Sequence, residues 1–133
     1  MQTILHILKT AGGWHHGLCL RIENPPYPEL VIDAMDESGP CGLAALSVAQ
    51  YGNALANPEM CFELGFAGKT HLNSFYYRND YLGVEQWSRF ITEDHYAYDT
   101  ELHRQHEELA KLWDKTLQQQ GFPQAFERQR QHA

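Results

Sequence analysis

Two histidines on a predicted C-terminal helix have a spacing that permits metal chemistry. His103 and His106 lie three positions apart, and Glu107 follows directly. Such a pair can chelate a divalent ion if a third ligand comes from elsewhere in the chain. The candidates for that ligand are His15, His16, His71 and His95. However, His106 belongs to the apolar stripe of the helix and His103 does not, and neither HExxH nor a zinc-finger spacing is present. We therefore expect no native metal site, and a small metal-dependent hydrolase using His103, His106 and a carboxylate is kept as the alternative function.

The sequence patterns that would indicate a nucleophile or a cation site elsewhere in the chain are weaker than the histidine pair. Cys41 lies in a predicted turn, GPCGL, whose backbone N–H groups could stabilise a thiolate, but no base is assigned to it. Asp33 and Asp36 could bind Mg²⁺ as a pair, although acidic turns are usually just solvated. Ser47 is not on a GxSxG elbow, and no glycine-rich phosphate loop is present. We therefore predict no catalytic residues and no cofactor.

Aromatic residues between positions 75 and 90 favour a recognition surface. They are Phe75, Tyr76, Tyr77, Tyr81, Trp87 and Phe90. If this region forms strands, alternation places some of the rings away from the core, and exposed Tyr and Trp often anchor protein interfaces. We predict a protein-binding surface that includes Tyr76, Arg78, Tyr81 and Trp87. Coverage of these rings by the long helix or by a homodimer partner is an equally supported alternative.

The net charge of −7 is unevenly distributed. Residues 101–133 carry equal numbers of acidic and basic side chains, so the whole acidic excess lies before residue 101. It is densest between Glu23 and Glu37, where no Lys or Arg occurs. Such a surface repels phosphate, which disfavours nucleic-acid binding, and it could attract a basic groove on another protein. Asp33, Asp36 and Glu37 therefore join the predicted binding residues, with ordinary solvation as the commoner explanation.

Hydrophobic periodicity predicts an α+β fold. Period-2 alternation is clearest in residues 59–66, where Met60, Phe62 and Leu64 face one way and Glu59 and Glu63 the other. Further strands are predicted at 18–23, 30–35, 43–51 and 75–77, with a short turn at 67–69. Residues 82–90 fit a strand or a helix, and we favour a strand because a turn signal precedes them.

Helices are predicted at both ends of the chain. Residues 2–10 fit a short helix, and a stripe of apolar residues with a period of three or four predicts a long helix that begins at Asp99 or Thr100 and ends at Gly121. The tail after Pro123 is predicted to be polar and frayed. We thus expect one domain over residues 1–133, with its core in 2–122: an antiparallel meander of about five to six strands, a short N-terminal helix, and a long C-terminal helix packed on one face.

Cysteine content and hydropathy indicate the compartment. Cys19, Cys41 and Cys61 are an odd number without a CxxC pair, which is typical of a reducing cytoplasm. No apolar run approaches the roughly 20 residues needed to cross a bilayer. We therefore expect a cytoplasmic protein without a membrane partner.

Four ordered stretches carry a family resemblance. They are ENPPYPELVI (23–32), LSVA (46–49), NPEMCFEL (57–64) and YRNDYLGVEQ (77–86). Together they resemble the DUF6908-type family of uncharacterised bacterial proteins, although QYGNAL (50–55) stands where that family usually continues with His-Tyr and an Asn-Gly-Asp turn. The resemblance implies a cytoplasmic accessory protein of mobile DNA, with no established reaction and no catalytic residues to transfer. The expected function is a non-enzymatic accessory protein that engages a protein partner, with inhibition of a host-defence complex as one version and a homodimer as another possibility.

Overall fold

The computed structural model describes residues 1–65 and 71–132 of the chain. Its elements are, in chain order, α1 (Gln2–Thr10), β1 (Cys19–Asn24), β2 (Tyr27–Ala34), β3 (Ala45–Gly52), β4 (Leu55–Leu64), β5 (Leu72–Asn79), β6 (Val84–Trp87), β7 (Arg89–Thr92), β8 (His95–Tyr98), α2 (Thr100–Gln119) and α3 (Phe122–Gln131). Phe66, at the end of the predicted fourth strand, and the predicted turn at 67–69 lie outside the described residues.

Strands β1 to β6 form one antiparallel sheet in chain order, which confirms the predicted meander. The alternation of β4 has the predicted sense, since Met60, Phe62 and Leu64 are buried in the main core. Asn53 and Ala54 form the β3–β4 turn with positive φ angles of 53° and 64°, the geometry that matches the twist of a tight hairpin. Strand β4 therefore begins at Leu55, four residues before the predicted start.

Three helices cover one face of this sheet. Ile4 and Ile7 of α1, Trp113 and Leu117 of α2, and Phe126 of α3 share a single core with the inward side chains of the strands. The Asp99 side chain accepts a hydrogen bond from the Leu102 backbone N–H at 3.0 Å and so caps α2 as predicted. The other side of the sheet carries a second, smaller buried cluster of Ala45, Cys61, Phe75 and Tyr76, and none of the described helices contributes a residue to it.

The prediction that the segment after Pro123 is a frayed polar tail is wrong. Gly121 does end α2 in the left-handed conformation, with φ of 81°, but α3 begins at the next residue. Proline is compatible with the first turn of a helix, because the N–H it lacks has no partner there. Phe122, Ala125 and Phe126 are buried, so the core extends beyond the predicted limit of residue 122.

The strand predicted over residues 82–90 is confirmed for 84–87 and 89–90, whereas Leu82 and Gly83 belong to the preceding turn and the extended residues divide between two sheets. Strand β6 ends at Trp87, and β7 pairs with β8 in a separate two-stranded hairpin. The hairpin turn consists of Glu93 and Asp94, whose φ angles are 49° and 64°. The sequence does not predict β8, because this turn lacks the glycine or asparagine that usually marks such a hairpin.

Candidate functional site

The sheet face opposite the helices is the candidate functional site, and we call it the open face. The strand register aligns its side chains in two rows that cross the whole sheet. The first row is Cys19, Asp33, Ser47, Cys61, Tyr76 and Trp87, and the second is Arg21, Val31, Ala49, Glu59, Arg78 and Glu85. Their neighbours along each strand, such as Ile32 and Val48, point into the core beneath the helices. Small side chains thus occupy the middle of the open face, and larger polar and aromatic groups lie toward its edges.

Polar contacts hold the central side chains of the open face in place. The Ser47 hydroxyl donates to Glu59 Oε2 at 2.8 Å, and Arg78 Nη1 lies 3.4 Å from Glu59 Oε1. On the β1 side, Arg21 donates to Glu29 at 2.8 Å. Both arginines of the open face are therefore already neutralised by carboxylates of the same face.

An aromatic edge borders the open face along β6. The rings of Tyr76 and Trp87 are tilted against each other with centroids 5.1 Å apart. The Tyr76 hydroxyl donates to Glu85 Oε2 at 2.6 Å, and 48% of Trp87 is exposed. A groove of about 510 Å³ lies beside the indole, lined by Glu85, Gln86, Trp87, Phe90, Ile91 and Leu102. Burial of the Tyr76 ring leaves Trp87 as the exposed aromatic member of the pair.

The structure brings together four of the predicted binding residues. Tyr76, Arg78, Trp87 and Asp33 all lie in the two rows of the open face. The predicted alternation would place Phe75 on the opposite side from Tyr76, but a bulge in β5 places both in one small cluster with Cys61.

The remaining predicted residues lie around the open face. Tyr81 follows β5 in the turn to β6, is 51% exposed, and donates its hydroxyl to the Gly52 carbonyl at 2.9 Å. Asp36 and Glu37 are exposed in the loop after β2. Glu59 and Glu85 are not among the predicted site residues. Each lies two positions before an open-face residue, Cys61 or Trp87, so strand alternation could have identified both.

Three titratable groups of the open face, those of Cys19, Cys61 and Tyr76, have raised pKa values. Burial, with a smaller contribution from Glu59, raises the pKa of the Cys61 thiol to about 12. Burial and then the hydrogen bond to Glu85 raise the pKa of Tyr76, and a hydrogen bond to Asp33 followed by burial raises the pKa of Cys19. These groups stay protonated at neutral pH, so the two thiols contribute surface to the face rather than nucleophiles.

A buried ion pair lies at the end of the sheet where the 35–44 loop crosses it. Glu63 and Arg89 are 0% and 3% exposed, and the Arg89 guanidinium donates to the Glu63 carboxylate. The backbone N–H groups of Cys41 and Leu43 donate to the other carboxylate oxygen at 2.9 and 3.2 Å. Arg89 also donates to the Tyr96 hydroxyl at 2.9 Å. The pair therefore joins the loop and the β7–β8 hairpin to the sheet.

Cys41 contacts this pair, since Arg89 Nη2 lies 3.3 Å from its sulfur. Burial lowers the pKa of Arg89, but its hydrogen bonds with Tyr96, Glu63 and Cys41 outweigh that effect and leave the pKa raised. Sequence periodicity placed Glu63 on the outward side of β4 and gave no sign that a distant loop would bury it. We assign Glu63 and Arg89 a structural role.

The two candidate metal ligands of α2 point to different surroundings. His103 Nε2 lies 2.9 Å from Asn73 Oδ1 and 3.2 Å from Glu107 Oε1. His106 is fully buried, with Nε2 3.0 Å from Gln86 Oε1. Burial lowers the pKa of both imidazoles. Within residues 1–65 and 71–132, no group of three or more His, Cys, Asp or Glu side chains is arranged to hold a metal ion.

Comparison with known families bears on the predicted resemblance. The family described as "Domain of unknown function (DUF6908)" matches residues 2–123 of the 133-residue chain. The chain belongs to the DUF6908 family. The DUF6908 match includes every strand of the open face and all of α2, and it confirms the predicted resemblance. No curated protein and no solved structure matches the chain significantly. In the part of this DUF6908 protein that the structure describes, no helix is long and apolar enough to cross a membrane.

Proposed function

We propose that this DUF6908 chain is a non-enzymatic binding protein whose open face contacts a protein partner. The observation that carries the proposal is the one-sided sheet: three helices cover one face, and the other combines small central residues with an exposed indole and carboxylates. A solvated sheet face normally carries polar side chains. Trp and Tyr at such a position are the residue types that most often dominate the energy of a protein interface.

The cellular role that we propose is that of an accessory factor of bacterial mobile DNA. Its partner would be a host protein, and a defence complex of the host is one specific candidate. The acidic excess of residues 1–100 supports a protein target over DNA, because a surface of this charge repels phosphate. Co-elution of the purified chain with candidate host nuclease complexes tests this version, and the absence of any complex at micromolar concentration would count against it.

Surface variants test the binding function itself. Ser47 lies at the centre of the open face, so Ser47→Arg places a bulky charge where a partner would sit, and Trp87→Ala removes the exposed indole. Leu112→Arg on α2 is the control, because Leu112 is 63% exposed and lies on a helix that covers the opposite face of the sheet. Immobilised wild-type chain and Leu112→Arg should retain the same protein from a cell extract, and both open-face variants should lose it. Equal retention by all four would refute the assignment of the open face.

The alternative function is a small metal-dependent hydrolase. The contact between His103 and Glu107 is the observation that favours it, because a carboxylate can orient an imidazole for metal binding or proton transfer. Elemental analysis of the purified chain tests this alternative. A stoichiometric bound metal would support it, and sub-stoichiometric metal with no effect of a chelator would remove it.

A further inference from the structure

We propose that the groove beside Trp87 receives an arginine side chain from a basic segment of the partner. The proposal rests on the proposed function, since it concerns the aromatic edge of the same open face. The Trp87 indole and the Glu85 carboxylate both line this groove, and both side chains are exposed. An indole ring and a carboxylate at one site are the two groups that hold a guanidinium, the first by stacking and the second by paired hydrogen bonds.

The apolar part of the groove lining suits the methylene stem of an arginine. Its remaining lining includes the apolar side chains of Phe90, Ile91 and Leu102. Long cationic side chains bury their methylene groups on apolar surface while the charged head stays at a polar or aqueous site. The Tyr76 hydroxyl occupies only Glu85 Oε2, and a carboxylate can accept several hydrogen bonds, so Glu85 can still accept from a guanidinium. Within residues 1–65 and 71–132, no Lys or Arg side chain forms an ion pair with Glu85.

Charge complementarity selects a basic partner over a second copy of the chain. The two rows and the adjoining end of β2 carry four carboxylates, those of Glu29, Asp33, Glu59 and Glu85. The two guanidinium groups of the open face, those of Arg21 and Arg78, already pair with Glu29 and Glu59. Two copies meeting face to face would therefore oppose one acidic excess to another, which is unfavourable. A basic segment instead compensates the excess, and arginine suits the groove better than lysine because its planar head stacks on indole.

Peptide titration of the full-length chain tests the proposal. The probe is an acetylated, amidated hexapeptide of alternating arginine and valine, and the control peptide replaces each arginine by citrulline, which is neutral and nearly isosteric. The readout is the NMR shift of the three tryptophan indole N–H signals. The exposed Trp87 signal should move saturably with the arginine peptide, and the buried Trp113 signal, whose N–H donates to Gln50 at 2.9 Å, should not move.

Two variants separate the contribution of Glu85 from general electrostatics. Glu85→Gln should weaken binding of the arginine peptide about tenfold, because it removes the charge-assisted pair. The matched control Glu108→Gln, on the exposed side of α2, should change it less than about twofold. Raising NaCl from 50 to 500 mM should weaken binding by several-fold.

Several results would overturn the inference. These are equal Trp87 shifts with the citrulline peptide, equal effects of Glu85→Gln and Glu108→Gln, or no Trp87 shift with millimolar arginine peptide. If open-face variants lose the partner while the arginine peptide leaves Trp87 unmoved, the proposed function stands and this inference fails. If the arginine peptide binds at Trp87 with the predicted dependence on Glu85 while the open-face variants still capture the partner, the proposed function fails, and the groove binds arginine without receiving it from that partner.

Discussion

Removal of the Arg89 guanidinium is the most informative test of how the sheet end is held. Arg89→Met keeps an unbranched apolar stem but leaves the Glu63 carboxylate, which is fully buried, without its cationic partner. Breaking a buried ion pair in this way typically costs about 3–5 kcal/mol. Two backbone N–H groups still donate to Glu63, so we expect the lower end of that range, about 3 kcal/mol.

Equilibrium urea unfolding at pH 7.5 measures this loss. With an m value of about 1.5 kcal/mol/M, a loss of about 3 kcal/mol lowers the urea midpoint by about 2 M. The matched control is Arg104→Met, which breaks a pair with Glu101 whose two side chains are 62% and 64% exposed. Because solvent screens such an exposed pair, Arg104→Met should leave the urea midpoint close to that of the wild type.

A double variant checks the physical reason for the loss. Glu63→Gln combined with Arg89→Met removes the uncompensated charge while keeping an oxygen that accepts from the backbone N–H groups of the 35–44 loop. The double variant should therefore be about 1–2 kcal/mol more stable than Arg89→Met alone. A double variant less stable than the single variant, or an Arg89→Met loss as small as that of Arg104→Met, would refute the reasoning.

Three further predictions concern the helices. Phe126→Ala should lower the free energy of unfolding in urea by about 3–5 kcal/mol, because its ring is buried in the core. The exposed control Gln131→Ala should lower it by about 0.5 kcal/mol or less, and equal losses would show that α3 is not packed. Asp99→Ala should cost about 1 kcal/mol in thermal melting, since it removes the cap of α2, and an unchanged melting temperature would contradict the cap. Burial lowers the pKa of His106, so the unfolded chain binds a proton at this residue at a higher pH than the folded chain does. The stability that neutral His106 contributes is therefore complete above about pH 6.5. It is lost as the pH falls below that value, by at most about 1.4 kcal/mol per pH unit. His106→Gln should reduce this slope between pH 7.5 and 5.5, and an unchanged slope would show that His106 is not the group responsible.

Local patterns predicted the parts of the fold that local physics determines. Alternation in β4 identified its two faces, and the stripe of α2 with Asp99 before it and Gly121 after it identified that helix closely. The α3 helix was missed because Gly121 and Pro123 end one helix and also permit another to begin. Burial of Phe122, Ala125 and Phe126 in the core, a set of tertiary contacts, stabilises this otherwise polar segment as a helix.

The candidate site was partly predictable. Alternation was sufficient to group Tyr76 with Arg78, and pairing of consecutive strands then brought Trp87 and Asp33 onto the same face. The burial of Glu63 was not predictable, because it depends on a loop about 20 residues earlier in the chain and on Arg89 from a strand 26 residues later. Contacts of that range leave no periodic signal in the sequence.

The dissociation constant of a captured partner measures the role of the open face most directly. It should be determined for purified wild-type chain, Ser47→Arg and Leu112→Arg, with circular dichroism to confirm that both variants are folded. We predict binding at least about tenfold weaker for Ser47→Arg, because an interface must exclude its bulk and charge, and an unchanged value for Leu112→Arg. Equal affinity of Ser47→Arg and the wild type, or a loss confined to Leu112→Arg, would contradict binding through the open face.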